Sequence, residues 1–188
     1  MKKKKTIVIK FGGSVEHDAE ARRDLCHEIS QLERSGDYRI VLVHGGGKEL
    51  DHWLKKVQKP SLFLDGLRVT DPETAELAEM VLAGKVNGTL SELLRDFGCP
   101  AFGLSGRASG LISARPLEPS RYGQVGEIDH VDSGVLTTLL DSAYVPVIAP
   151  LGRASDPSAG PLNINADTAA AAIAAAIDAD IFLLATDV

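Results

Sequence analysis

The run Val41-Leu42-Val43 enters His44-Gly45-Gly46-Gly47-Lys48 without a break, and this junction restricts the possible folds more than any other stretch. A short apolar run of this kind reads as a strand buried on both faces. The glycines then leave main-chain N–H groups uncovered at the carboxyl end of that strand, where open α/β sheets bind their ligands. With no Cβ in the way an anion reaches the main chain closely. The helical pattern that follows turns the positive end of its dipole toward the same place. Two readings stay open on this stretch alone: a cradle for an anion such as phosphate, and a glycine-rich turn between strand and helix.

A second junction of the same type opens the chain. Thr6-Ile7-Val8-Ile9-Lys10-Phe11 is a strong strand pattern that runs into Gly12-Gly13-Ser14. A lysine near the end of a core strand is costly to bury unless an anion meets it; the alternative is a side chain that snorkels past the strand end. Between the two junctions, residues 18–34 place Leu25, Ile29 and Leu32 on one side of a charged helix that Gly36 closes. A helix used as a crossover makes the two strands parallel.

Further along, residues 47–58 predict a helix with Leu50, Trp53, Leu54 and Val57 on one face, ended by Pro60. Residues 62–69 read as a hairpin turned at Asp65-Gly66. Thr70 or Asp71 caps the next helix, with Pro72 and Glu73 in its first turn. Its apolar stripe runs from Ala75 through Val81, Leu82 and Val86 to Leu94 and Phe97, and suits either a core or a subunit interface. Gly84 and Gly88 predict a bend or break in it. Strands follow at 101–104, 111–115 and 126–131. A helix capped by Ser133 leads to a strand over 145–150, where Pro146 marks an irregular start. A Ser/Gly/Pro loop spans 153–161. Asn163-Ile164-Asn165-Ala166-Asp167-Thr168 then introduces an alanine helix, and 181–185 is the last strand. The alternation predicts an α/β fold with a largely parallel open sheet sandwiched by helices, and no domain boundary within 1–188.

Several function classes are disfavoured. The net charge of −6 argues against nucleic acid, which needs a basic face; the run Lys2 to Lys5 reads as the solvated start of the first strand. No apolar run approaches the ~20 residues that span a bilayer, and only Ile7-Val8-Ile9 follows the lysines where a signal core would need more. Cys26 and Cys99 share no metal-like spacing and read as buried thiols of a reducing compartment, so the expected location is cytoplasmic. The histidines show no paired spacing for a metal. A P-loop, a spaced dinucleotide fingerprint and a nucleophile elbow are all missing. What remains is a set of strand ends: Lys10 with Gly12 and Gly13, His44 with Gly45 and Gly46, and Asn163 with Asp167 at a helix start. Glycine anion holes, one lysine and one carboxylate suit phosphoryl transfer, where catalysis is mostly positioning and charge stabilisation. His44 itself reads as a packing residue at a strand end.

The motifs Lys10-Phe11-Gly12-Gly13-Ser14, Val43-His44-Gly45-Gly46-Gly47, Asp65-Gly66-Leu67-Arg68-Val69-Thr70-Asp71, Leu82-Ala83-Gly84-Lys85-Val86-Asn87 and Asn163-Ile164-Asn165-Ala166-Asp167-Thr168-Ala169 appear in this order across the chain. In them the sequence resembles the amino-acid kinase superfamily, and within it the N-acetylglutamate kinase family. The lysine-glycine start marks only the superfamily; the Arg68 and Asn163 segments are more specific.

The resemblance implies an acyl phosphate made from ATP and the side-chain carboxylate of N-acetyl-L-glutamate, with Mg2+ bridging the ATP phosphates. Carried over to matching positions, Lys10 neutralises the transferring phosphoryl group and Asp167 orients catalytic lysines. Backbone N–H groups of Gly45 and Gly46, with Gly12 and Gly13, hold phosphate oxygens and the attacking carboxylate. Arg68 holds the substrate α-carboxylate and Asn163 fixes the same substrate. Alternatives are a kinase for carrier-linked aminoadipate or glutamate, and a catalytically weak module that binds the acylated amino acid. Members of the family continue into a second lobe with the adenine pocket and another lysine. The expectation is therefore that 1–188 is the N-terminal, acyl-amino-acid-binding lobe, with the ATP lobe absent from the given chain. A homodimer is also expected.

Overall fold

Side-chain alternation along two central strands sorts the molecule into layers. The structure, a computed structural model, describes residues 4–13 and 18–185. Lys2, Lys3 and Ser14 lie outside the described residues. Strands β1 (Lys5–Phe11) and β2 (Tyr38–His44) pair in parallel, with Lys10 opposite Val43 and Phe11 opposite His44. Ile7, Ile9, Phe11, Ile40 and Leu42 enter one core layer, whereas Val8, Val41 and Val43 enter the other. A strand alternates faces with period two, so both faces must be covered.

Helix α1 (Ala19–Arg34) covers the first face. Asp18 caps it by accepting from the N–H groups of Glu20 and Ala21, which satisfies two otherwise unpaired donors. Helix α2 (Gly47–Lys56) packs Leu50 and Leu54 on the same face. It stops well before Pro60. Gln58 takes a left-handed φ of 57°, and the Lys59 N–H bonds back to the Leu54 carbonyl at 2.8 Å, a Schellman closure. Val57 falls outside the helix and is 56% exposed, not buried as its spacing suggested.

The hairpin forms as expected from β3 (Phe63–Leu64) and β4 (Leu67–Arg68), with positive φ at both Asp65 and Gly66, the requirement of a type I′ turn. Asp71, not Thr70, caps α3 (Pro72–Glu79), accepting from the Thr74 N–H at 2.8 Å. The expected break near Gly84 is instead a π-helical segment over Met80–Val86 that runs directly into α4 (Asn87–Asp96). A π turn changes the helical phase. Here Val81, Leu82, Val86 and Asn87 are all buried, while Gly84 and Gly88 face open space.

The remaining chain adds β5 (Ala101–Ser105), β6 (Ile112–Pro116), the short α5 (Pro119–Tyr122), β7 (Gly126–Val131), α6 (Gly134–Asp141), β8 (Val145–Ala149), β9 (Leu151–Ala154), β10 (Pro161–Asn163), α7 (Ala166–Ala176) and β11 (Ile181–Ala185). Five strands make a wholly parallel sheet in the order β11-β1-β2-β8-β5. Pro146 is the second residue of β8, and pairing with β2 begins at Val147, after it. Ser133 stands at the α6 N-cap without a side-chain bond; Asp132 accepts from the Gly134 N–H instead.

The expected loop at 153–161 has strand at both ends. β9 and β10 pair antiparallel and join β6 and β7 in a second sheet, β10-β9-β6-β7. The pattern was hard to read because Gly152 interrupts it; a Cβ there would come within 2.8 Å of the Ala114 Cβ. This second sheet, α6 and α7 form the other core layer around Val8, Val41 and Val43. Among the described residues no helix is long and apolar enough to cross a membrane.

Asp71→Ala should lower stability by about 1 kcal/mol, the usual worth of an N-cap, read as a lower urea midpoint. Lys59→Ala removes only ion pairs to the exposed Asp71 and Glu73 carboxylates and should shift the midpoint much less.

Candidate active site

Strand parity sends Lys10 to the layer of Val8, beneath α7. Asn165 caps α7 by accepting from the N–H groups of Asp167 and Thr168 at 2.9 and 3.1 Å. That places Asp167 in the first helical turn, with its Oδ1 3.0 Å from Lys10 Nζ. The lysine side chain is only 12% exposed and the aspartate 59%. A nearly buried ammonium therefore meets its counter-charge at the solvent edge, which offsets part of its desolvation. The two residues are far apart in sequence, and the crossing of α7 over the carboxyl end of β1 brings them together.

The glycines divide into two groups. The Gly45 N–H donates to the Phe11 carbonyl at 2.8 Å, and the Gly12 N–H to the Ala185 carbonyl at 3.3 Å. These two donors prolong the sheet ladder, so they are not turned outward as the cradle reading supposed. Gly46 is the N-cap of α2, with φ of 137° and no side-chain cap. The first N–H groups of a helix have no intrahelical acceptor, so the donors of this turn begin at Gly46. A Cβ at Gly46 would run into Leu82 Cδ2 of the π-helical segment. Gly12 has a different constraint: a Cβ there would lie 2.7 Å from Lys10 Nζ. Gly13 follows with φ of 77°.

A pocket of about 160 Å³ opens at this strand end, walled by Gly45, Gly46, Gly47, Arg68, Leu82 and Asn163. Lys10 and Asp167 lie beyond this lining, although Asn165 and Ala166 beside Asp167 belong to it. Arg68 is buried on the pocket rim. Its Nη1 is 2.5 Å from Asp51 Oδ1 and also donates to Ser61, and its Nη2 donates to the Gly47 carbonyl at 3.0 Å. The guanidinium carbon lies 4.5 Å from the centre of the Phe63 ring. The fork expected to face a carboxylate is thus partly engaged by Asp51, while Nη2 retains a second hydrogen. Thr70 joins the two substrate candidates: its hydroxyl donates to the Arg68 carbonyl at 2.7 Å and accepts from Asn163 Nδ2 at 3.2 Å.

His44 takes the opposite face from Lys10 and is fully buried. Its Nδ1 is 2.7 Å from the Gly45 carbonyl and its Nε2 is 3.1 Å from Asn87 Nδ2. Asp51 was not singled out from the sequence, Thr70 was read only as a possible helix cap, and Asn87 only as part of a motif. Asn87 had one available signal, a polar residue within an otherwise apolar helical stripe. Asp51 had none, and the cap reading of Thr70 did not point to its role here, because both roles depend on the hairpin folding over α2 and beside β10.

Burial pushes the His44 imidazole down to about 4, against a smaller upward pull from its bond to Gly45. The unfolded chain protonates near 6.5. Between those values the unfolded state binds a proton that the folded state excludes. Stability should therefore fall as pH drops from about 6.5 to about 4, by an amount on the order of 3 kcal/mol. Denaturant midpoints measured across this window should show a shallower slope for His44→Asn than for the parent chain.

The model of the Amino acid kinase family matches residues 5–188. The acetylglutamate kinase of Geobacillus sp. (strain WCH70) is 47% identical over 184 residues, covering 98% of this chain and 70% of that protein. The acetylglutamate kinase of Campylobacter curvus (strain 525.92) is 42% identical over 183 residues, covering 97% of this chain and 64% of that protein. The chain thus spans about two thirds of the length of these relatives. Among solved structures, smu.665 from Streptococcus mutans UA159 superposes with a TM-score of 0.86 at 31% identity, over 97% of this chain and 73% of that one. Sequence match, parallel sheet and flanking helices agree, and this chain belongs to the amino acid kinase family.

Proposed function

We propose that this chain carries the acyl-amino-acid site of an ATP-dependent carboxylate kinase that phosphorylates N-acetyl-L-glutamate in arginine biosynthesis. The observation that carries the reading is the meeting of Arg68, Asn163 and the Gly46 turn around one small pocket beside the Lys10–Asp167 pair. The likeness to acetylglutamate kinases supports the substrate. Residues 1–188 act as the lobe that binds the acylated amino acid.

In this reaction an oxygen of the substrate side-chain carboxylate attacks the γ-phosphorus of ATP. The bond from that phosphorus to the bridging oxygen breaks, ADP leaves with the electron pair, and an acyl phosphate forms. No general base is required, because a carboxylate is already ionised near pH 7. Arg68 holds the α-carboxylate through Nη2, with Asp51 and Phe63 fixing the plane of its fork. Asn163, steadied by Thr70, orients the same substrate. Gly46 presents its N–H to the anion, and Gly12 and Gly45 allow close approach. Gly13 borders the phosphate path. Lys10 meets the charge on the transferring phosphoryl group, and Asp167 keeps its ammonium at that position. Among the described residues no three His, Cys, Asp or Glu side chains gather. Mg2+ would sit with the nucleotide phosphates, its usual mode of binding, and neutralise their charge. The protein is further proposed to be a cytoplasmic homodimer with no nucleic-acid or membrane partner.

Calorimetry tests the substrate. N-acetyl-L-glutamate should bind this chain in a single site, and Arg68→Lys, which loses the planar fork, should weaken it on the order of 10-fold or more. No binding at millimolar concentration would exclude the reading. In an enzyme spanning the full length of its relatives, Lys10→Ala should lower kcat by about 10²- to 10³-fold. The KM for the acyl amino acid should stay within about threefold.

A further inference from the structure

Asn87 determines the ring state of His44. Its Nδ2 donates to the Val147 carbonyl at 2.9 Å and approaches the Leu104 carbonyl at 3.4 Å. Carbonyl oxygens only accept, so the atom facing them is the amide NH2. The same NH2 lies 3.1 Å from His44 Nε2, which must therefore be the bare, accepting nitrogen. The proton of the neutral ring sits on Nδ1 and is donated to the Gly45 carbonyl at 2.7 Å. Position 103 accommodates this arrangement, since a Cβ there would strike the Asn87 amide oxygen.

The Gly45 carbonyl belongs to the Gly45–Gly46 peptide. No cis peptide bond occurs among the described residues, and in a trans peptide the C=O and N–H point in opposite directions. Holding the carbonyl against His44 turns the Gly46 N–H away from the ring, within a turn whose residues Gly45 to Gly47 line the pocket. A glycine at φ of 137° without a side-chain cap has no side chain of its own to hold this orientation.

We infer that His44 is a positioning residue, locked by Asn87 as the Nδ1–H tautomer, that fixes the Gly45–Gly46 peptide so that the Gly46 N–H faces the anionic group of the substrate. The inference rests on the anion-binding role proposed above for this turn. His44 does not touch the substrate. Its burial keeps the ring neutral, so the Nδ1 donor persists across the neutral pH range. The π-helical segment is part of the same device, because its phase delivers both Leu82 against Gly46 and Asn87 against His44.

Nitrogen-15 NMR of the ligand-free chain reads the tautomer directly. The expected result is a protonated Nδ1 and a bare Nε2; the reverse overturns the inference. Two variants then separate positioning from packing. His44→Asn places an amide donor near the Nδ1 position and keeps the bond to Gly45, whereas His44→Gln reaches the Nε2 position and loses it. Residual dipolar coupling of the Gly46 N–H should stay close to the parent value in His44→Asn and change in His44→Gln. N-acetyl-L-glutamate affinity should fall by no more than about threefold in the first and on the order of 10- to 100-fold in the second. Should His44→Gln fail to fold, Asn87→Leu tests the same point: it removes the NH2 that holds Nε2 bare, and should lower the Nδ1–H population in the nitrogen-15 spectrum and change the Gly46 coupling. Unchanged Gly46 coupling in His44→Gln, or an unchanged tautomer and coupling in Asn87→Leu, overturns the inference. So does equal loss of affinity in both His44 variants. Reorientation as expected in a chain that never binds N-acetyl-L-glutamate leaves the positioning role standing and removes the proposed substrate.

Discussion

β1 and β2 are central strands of a sheet covered on both faces, and this double coverage governs the rest of the molecule. Every side chain at their carboxyl ends must enter one helical layer or the other, with no solvent face available. Lys10 and His44 stand one register step apart on adjacent strands and enter opposite layers. The parity of two strands therefore separates a charged device beneath α7 from a neutral one beneath α4. Both converge on the glycines that end the strands.

Low exposure makes each polar group at this site depend on a specific partner. Lys10 has Asp167, Arg68 has Asp51 and Ser61, and His44 has Asn87 and the Gly45 carbonyl. A buried polar group without a partner costs more than the pair contributes, so these partners are as constrained as the residues they serve. The side chains of Asp167, Asp51 and Asn87 come from three separate elements, α7, α2 and the start of α4. The pocket walls are cross-linked between layers, with Thr70 adding the link from the hairpin to β10.

Much of this was legible in advance. β1, β2, α1 and the Asp65-Gly66 hairpin follow from apolar periodicity and turn chemistry, and their observed bounds differ little from the expected ones. Lys10, Arg68, Asn163 and Asp167 stood out through motif and position, and the structure brings them to one sheet end. The second sheet was obscured because β9 and β10 are short and Gly152 replaces the expected apolar residue. The π-helical segment gave no sign beyond Gly84, since a change of phase has no composition of its own. Ser133 misled because a capping residue type stood where Asp132 performs the task.

The sequence by itself determined the layer to which each strand residue goes, because alternation is a local property. It also marked which charges would sit at strand ends. Only the tertiary structure decided which main-chain donors stay available. The N–H groups of Gly12 and Gly45 are taken by neighbouring strands, whereas Gly46 leaves the ladder as the N-cap of α2. The reason is that hydrogen-bond capacity is shared between strands distant in sequence. The opening junction at His44-Gly45-Gly46 is thereby narrowed to one peptide, oriented by a histidine whose partner lies on another helix.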